Sequence, residues 1–392
     1  MKRLHAGLIF GLTLCLLIVH AASAQTRARA RDLGIPFEGT PGALNSITDV
    51  KGVEVGLSTI ISGEGPLKVG AGPVRTGVTA VLPRGKASSD QVFAGWFSIN
   101  GNGEMTGTTW IEEAGFLEGP VFITNTHSVG TVRDAAIMWA VEHNKMPQPW
   151  ALPVVAETYD GGLNDINGFH VKKEHVYKAL DTASSGPVAE GNTGGGTAMS
   201  CYGYKCGTGT SSRKIGDQFG GYTVGVLVQA NHGGRSLRIA GVPVGAELSE
   251  QSSQPPARRT NEDEELGSII IVVATDAPLL PHQLKRIARR STHGLGRTGA
   301  TSGNGSGDIV IAFSTANAGA ATARDTAQLT MVSNQRISAL FDATVQATEE
   351  AIINALVAGE TMTGANGRTV QAINHDRLKE ILKKYNRLNE RK

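Results

Sequence analysis

The chain of 392 residues contains 50 glycines, well above the usual ~7%, yet shows no three-residue period, which excludes collagen. With 18% charged and 40% hydrophobic residues it is neither a charged disordered chain nor a membrane-embedded one. The 37 basic and 35 acidic residues nearly cancel, so the concentrated basic footprint of a nucleic-acid surface is missing.

The chain opens with a short basic start, Met1-Lys2-Arg3, followed by an uncharged apolar stretch from Ala6 to Val19 and the small-x-small pattern Ala22-Ser23-Ala24. This predicts a secretory signal peptide over residues 1–24, its apolar core being too short for a comfortable membrane span. Cleavage there would make Gln25 the first residue and leave basic and acidic residues equal in number. The expected destination is outside the cytoplasm, in the periplasm, with no membrane attachment once the signal is gone.

Beyond an arm at 25–31, short β-rich runs alternate with glycine-rich turns. Val53–Leu57, Gly77–Leu82, Val121–Thr124 and Tyr222–Gln229 are predicted strands. Helical periodicity marks Thr131–His143 and His282–Arg290. It returns where Ile337, Leu340, Phe341, Val345, Thr348 and Ile352 share one face, and again at His375–Tyr385. Mixed elements of this kind predict a layered α/β or α+β fold. The stretch Glu247–Leu266 is polar, has two prolines and carries four consecutive acids, so it is expected to be an exposed mobile loop. Gly267-Ser268 follows, then Ile-Ile-Ile-Val-Val-Ala, the strongest buried-strand run in the chain.

Several patterns mimic known sites. Gly294-Leu-Gly296-Arg-Thr-Gly299 matches the dinucleotide fingerprint literally but follows a helix rather than a strand. His170 and His175 flank Glu174 at a spacing one residue too long for the inverted zinc motif, and the two histidines fall on different helix faces. Gly191–Thr197 is better read as a tight turn than as a phosphate cradle, since no P-loop lysine follows. His127 and His232 lack a nucleophile elbow to serve and are read as structural. Cys201 and Cys206 are compatible with a small-loop disulfide or a pair of buried thiols, and two ligands alone do not make a metal site.

Ser268 is a further candidate, although Gly-Ser before a strand is also commonplace turn chemistry. If the Gly267–Ser268 bond breaks, Ser268 gains a free α-amine titrating near pH ~7.7–8.0, able to act as general base for its own hydroxyl. A glycine before the bond tolerates strained dihedrals, and a serine that opens a rigid strand is held in place.

The segment Gly267-Ser-Ile-Ile-Ile-Val-Val-Ala-Thr-Asp-Ala-Pro-Leu-Leu-Pro-His resembles the start of the small subunit of the L-aminopeptidase/D-esterase family, the DmpA-type or β-aminopeptidase family. The resemblance extends to Arg297-Thr-Gly, Gly305-Ser306-Gly307-Asp308 and Ala312-Phe-Ser-Thr-Ala-Asn317. Gly39-Thr-Pro-Gly42, Asn45-Ser-Ile-Thr-Asp-Val50 and Val226-Leu-Val-Gln-Ala-Asn231-His-Gly also match, so nearly the whole mature chain is covered. It implies a four-layer αββα sandwich, similar to N-terminal nucleophile hydrolases but differently connected. It implies a precursor that cleaves itself into an α chain, residues 25–267, and a β chain, residues 268–392. Ser268 would be the nucleophile in both maturation and turnover. Ser306 and Asp308 occupy the family's second serine and carboxylate positions, Asp308 being one methylene shorter than the glutamate of other members. Asn231 matches the oxyanion-stabilising asparagine, and Tyr159 the tyrosine that lines the site.

Glu157 is assigned to the substrate's free amino group, an anion paired with an ammonium giving exopeptidase selectivity. Asn100 and Gly101 are expected to line the pocket. The function so implied is that of an aminopeptidase acting on short peptides, amino-acid amides or esters through an acyl-enzyme, with no metal or organic cofactor, assembled as a homo-oligomer. The rival enzyme is an acyltransferase of the ornithine acetyltransferase type, disfavoured by Ser268 in place of threonine and by the export signal. The rival of another class is an inactive, uncleaved, secreted peptide-binding protein on the same scaffold.

Overall fold

The computed structural model describes residues 27–146, 148–250, 267–322 and 325–389. The expected signal peptide and most of the acidic tether, residues 251–266, lie outside this set. In chain order the strands are β1 (Glu54–Ser62), β2 (Val74–Leu82), β3 (Val92–Ser98), β4 (Phe116–Leu117), β5 (Val121–Asn125), β6 (Val154–Thr158), β7 (Ser200–Cys201), β8 (Tyr204–Lys205), β9 (Thr208–Lys214), β10 (Thr223–Asn231), β11 (Ser268–Thr275), β12 (Ile309–Ser314), β13 (Met362–Thr363) and β14 (Thr369–Val370). The helices are α1 (Thr108–Ala114), α2 (Val129–Glu142), α3 (Lys173–Asp181), α4 (Val244–Glu250), α5 (Pro281–Arg297), α6 (Ser338–Val357) and α7 (His375–Lys384).

Among the described residues, ten strands make two stacked sheets: a four-stranded one ordered β1-β2-β5-β6, and a six-stranded one ordered β4-β3-β12-β11-β10-β9. Side-chain alternation sorts each strand between two cores. In β11, Ile269, Ile271 and Val273 face the helices α5 and α6, while Ile270, Val272 and Ala274 face the other sheet. On the far side, Phe122 of β5 and Val155 of β6 pack under α2 and α3, where Val132, Trp139 and Leu180 lie. The layers therefore run helix, sheet, sheet, helix. This is the αββα sandwich that the family resemblance implies.

Both parallel pairs are joined by a helix, α2 between β5 and β6 and α5 between β11 and β12, as parallel strands require. Helix α5 begins on Pro281 and buries Leu284, Ile287, Ala288 and Leu295 along one stripe, with Lys285, Arg289 and Arg290 off that stripe. It runs farther than the predicted His282–Arg290. The Gly294-Leu-Gly296 motif is its last turn, where Gly294 meets Val345 and Thr348 of α6. That is a packing role with no cofactor loop in it. The tether also starts later than expected. Glu247 belongs to α4 and is buried, its carboxylate accepting from Lys384 Nζ at 2.9 Å and Tyr385 Oη at 2.6 Å.

The arm after the expected signal is tied to α6 by charge. Glu350 is fully buried and takes Arg31 at 2.8 Å and Arg213 at 2.7 Å, with Asn45 Nδ2 donating at 2.6 Å. Burial pushes this carboxyl up, but Arg31, Arg213 and Asn45 overcome that and hold it below its ordinary value. Replacing Glu350 by Ala leaves Arg213 buried without its partner, which costs about 3–5 kcal/mol for such a pair. The variant should unfold at markedly lower denaturant concentration than the parent, by circular dichroism.

Candidate active site

Ser268 begins β11 and pairs in register with Asn231, the last residue of β10. On its other side Gly267 bridges to Ser306 in parallel sense, just before β12. Three neighbouring strand ends thus bring Ser268, Asn231, Ser306 and Asp308 together, although they lie far apart in sequence.

Asp308 is fully buried. Its Oδ1 accepts from Ile269 N at 3.1 Å and its Oδ2 from Ser306 Oγ at 3.1 Å, so the shorter side chain reaches both the strand that begins at Ser268 and the second serine. The Gly307 N–H, at 3.2 Å from Ser268 Oγ and 3.3 Å from the Gly267 carbonyl oxygen, faces both groups of the Gly267–Ser268 link. Gly267 itself has φ +128°, and a Cβ there would lie 2.1 Å from the Asn231 carbonyl oxygen. Only glycine fits that position.

Asn231 is oriented at both ends, Oδ1 accepting from Ser200 N at 2.9 Å and Nδ2 donating to the Tyr159 carbonyl at 2.9 Å. Ser200 opens the β7–β8 turn, which is closed by a Cys201–Cys206 disulfide. His232, next in sequence, is enclosed, and burial pushes its imidazole down to about 3, so it stays neutral as its structural reading requires.

A cleft of about 540 Å³ exposes this arrangement, lined by Ser268, Asn231, Glu157, Tyr159 and Asp160 among others. Glu157, at the end of β6, is buried. It accepts from Glu104 N at 3.1 Å and from the Thr126 hydroxyl. Burial pushes its carboxyl up, partly offset by those two bonds. Tyr159 is 55% exposed, and its phenol lies over the Gly161 backbone, the hydroxyl 2.3 Å from the position a Cβ would take there. The neighbouring Asp160 was not singled out in the sequence. It is enclosed, and burial raises its carboxyl to about 7, opposed by Thr76, Asn164 and Asn125.

The loop after β3 contributes differently from expectation. Asn100 spends its amide on the carbonyls of Gly303, at 2.9 Å, and Ser306, at 2.5 Å, and Gly101 is exposed with Ser98 as its neighbour. The cleft wall from this loop is Asn102, whose Nδ2 donates to the Gly305 carbonyl at 2.9 Å. Asn100 braces the Ser306 turn from behind.

The sequence profile of peptidase family S58 matches residues 45–370. The chain belongs to peptidase family S58. It is similar to the β-peptidyl aminopeptidase BapA of Sphingosinicella microcystinivorans, 57% identical over 95% of this chain and 96% of that one. Among solved structures it resembles the L-aminopeptidase D-Ala-esterase/amidase of Ochrobactrum anthropi, a variant of the Ntn-hydrolase fold. There the TM-score is 0.83 and the identity 49%, over 92% of this chain and 99% of that one. A Burkholderia sp. β-aminopeptidase gives the same TM-score of 0.83 at 46% identity, over 93% and 100% of the two chains. As an S58 member, the chain is a serine-type aminopeptidase with an Ntn-hydrolase-type fold.

Gly307 gives the site a backbone test. A Cβ there would lie 2.5 Å from the Asn102 carbonyl oxygen and 2.7 Å from Gly103 Cα, so Gly307→Ala must push the turn off Ser268. A shift of about 1 Å at a reacting group costs about a hundredfold in rate. Aminopeptidase kcat on an amino-acid amide should fall by that order, with the circular dichroism spectrum retained.

Proposed function

We propose that the protein is an exported, self-cleaving aminopeptidase whose nucleophile is Ser268. The observation that carries this reading is the single N–H of Gly307 facing both Ser268 Oγ and the Gly267 carbonyl oxygen. In maturation Ser268 Oγ bonds to the Gly267 carbonyl carbon, the Gly267–Ser268 C–N bond breaks, and the nitrogen takes the hydroxyl proton. Water then hydrolyses the resulting ester. The products are an α chain ending in the Gly267 carboxylate and a β chain, 268–392, beginning with a free Ser268 amine.

In turnover that amine takes the Oγ proton as Oγ attacks the substrate carbonyl, and passes it to the departing amine. Ser306 and Asp308 hold the serine and its proton path in line. Asn231 Nδ2 and the Tyr159 phenol stabilise the oxyanion, donors that strengthen as charge develops. Glu157 receives the substrate's ammonium and limits attack to chain ends. Short peptides, amides and esters are the substrates, N-terminal β-amino acids included, as the relatives named β-peptidyl aminopeptidases and β-aminopeptidase suggest. Residues 1–24 direct the chain to the periplasm, and αβ units associate as a homo-oligomer.

Denaturing mass spectrometry of the purified protein beside Ser268→Ala tests the maturation step. Two chains from the parent, one beginning at Ser268, and a single chain from the variant are expected. An unbroken parent removes the free amine and with it the proposal. Turnover carries its own signature: with the Ser268 α-amine as base near pH ~7.7–8.0, kcat/KM should climb with pH toward that range and fall again above it, as the substrate ammonium that Glu157 receives loses its proton. In Asn231→Ala, kcat should drop by about 10²–10³ while the cut at Gly267 is scored separately by mass.

A further inference from the structure

The cleft around Ser268 is acidic on one wall, with Glu157 and Asp160, and carries a cation elsewhere. Arg368 is the one basic side chain lining it among the described residues. Arg75, whose backbone N–H donates to Asn164 nearby, is already committed, its guanidinium donating to the carbonyls of Thr363, Ser62, Val74 and Gly63. The Arg368 guanidinium, by contrast, is exposed and has no hydrogen bond or ion pair among the described residues.

Its backbone is fixed. Arg368 sits in the tight turn between β13 and β14, where its N–H donates to the Ala365 carbonyl at 3.1 Å and its carbonyl accepts from Gly364 N at 2.9 Å. The turn is docked on the wall of the cleft through Ala365 N to the Leu163 carbonyl at 2.8 Å and through an apolar cluster of Leu163, Ala198, Met362 and Val370. The guanidinium lies across Gly162, with Nη1 3.5 Å from the position a Cβ would take there. Gly162 is two residues after Asp160, so the chain that carries the acidic wall also supports the arginine.

We propose that Arg368 is a specificity-determining residue that binds the free carboxylate of the leaving group, making short peptides with an unblocked C-terminus the favoured substrates. This rests on the reading of Ser268 as nucleophile and of Glu157 as the ammonium site. A zwitterionic dipeptide then lies across Ser268 with its ammonium toward Glu157 and its carboxylate toward Arg368. A planar guanidinium suits the second task because it offers two parallel N–H donors to one carboxylate. A cleft of about 540 Å³ suits a ligand of two or three residues, and a longer peptide carries its terminal carboxylate past the arginine.

The test compares β-alanyl-leucine with β-alanyl-leucinamide on the mature two-chain enzyme, in the parent, Arg368→Gln and Arg368→Lys. The parent should favour the free acid about five- to tenfold in kcat/KM, mainly through KM, and the preference should shrink as NaCl is raised. In Arg368→Gln the acid-to-amide ratio should fall to about one. In Arg368→Lys it should be intermediate, since the charge remains without the fork. A parent ratio near one, or a ratio that Arg368→Gln leaves unchanged, overturns the assignment of Arg368 while leaving the aminopeptidase reading intact. If the parent hydrolyses neither compound, nor any other aminoacyl amide, the proposed function fails first and this inference falls with it.

Discussion

Everything at the site depends on β11 being paired on both edges. Antiparallel to β10 and parallel to β12, with apolar side chains buried on both faces, it is an interior strand of the six with no free edge. Ser268 is its first residue, so the position of the proposed nucleophile is set by backbone pairing and by the burial of Ile269–Ala274, not by the conformation of a surface loop. A strand with both edges satisfied and both faces dry opens only with the whole domain. The polar groups around the serine can then be aimed at a fixed point, which is what preorganised electrostatics needs.

That aim is achieved with few side chains. Asp308 joins the Ser306 hydroxyl to the backbone of Ile269, Asn231 is held from two sides, and Asn100 ties down the turn that presents Ser306 and Gly307. Gln229 adds a link between the sheets, its Nε2 donating to the Thr124 carbonyl at 3.0 Å and the Thr158 hydroxyl at 2.7 Å. This fixes β6, and hence Glu157, relative to β10. The buried carboxyls Glu157 and Asp160 are raised by the same enclosure that makes an approaching ammonium worth more to them than it would be in water.

Much of this was legible before any fold was known. The Ile-Ile-Ile-Val-Val-Ala run identified the central strand because only a strand buried on both faces is apolar at every position. Helices α2, α5, α6 and α7 declared themselves by periodicity, and the layering followed from the mixture of elements. The errors have local causes. Helix α5 ran past its predicted end because Gly294 and Gly296 punctuate a sequence as breakers, yet here allow close packing on α6. Glu247 looked like part of a solvated tether because its partners, Lys384 and Tyr385, lie near the other end of the chain. Asn100 was expected in the pocket where its neighbour Asn102 stands, a matter of which way a turn points. Asp160 and Arg368 carried no pattern of their own. One is an acid after a tyrosine, the other a basic residue in a short hairpin, and tertiary docking alone brings them to the cleft.

The order of strands also has a consequence for how such a molecule comes into being. In the six-stranded sheet, β3, β4, β9 and β10 precede residue 267, and β11 and β12 follow it. A cut at that point would yield two polypeptides, neither of which owns a complete sheet or a closed core. They could not be made apart and docked as preformed domains, because each would expose the edge strand that the other covers. Scission there would therefore have to come after the chain has folded as one. A cut would then serve as a record that folding is complete, since the geometry proposed to perform it exists nowhere but in the finished sheet.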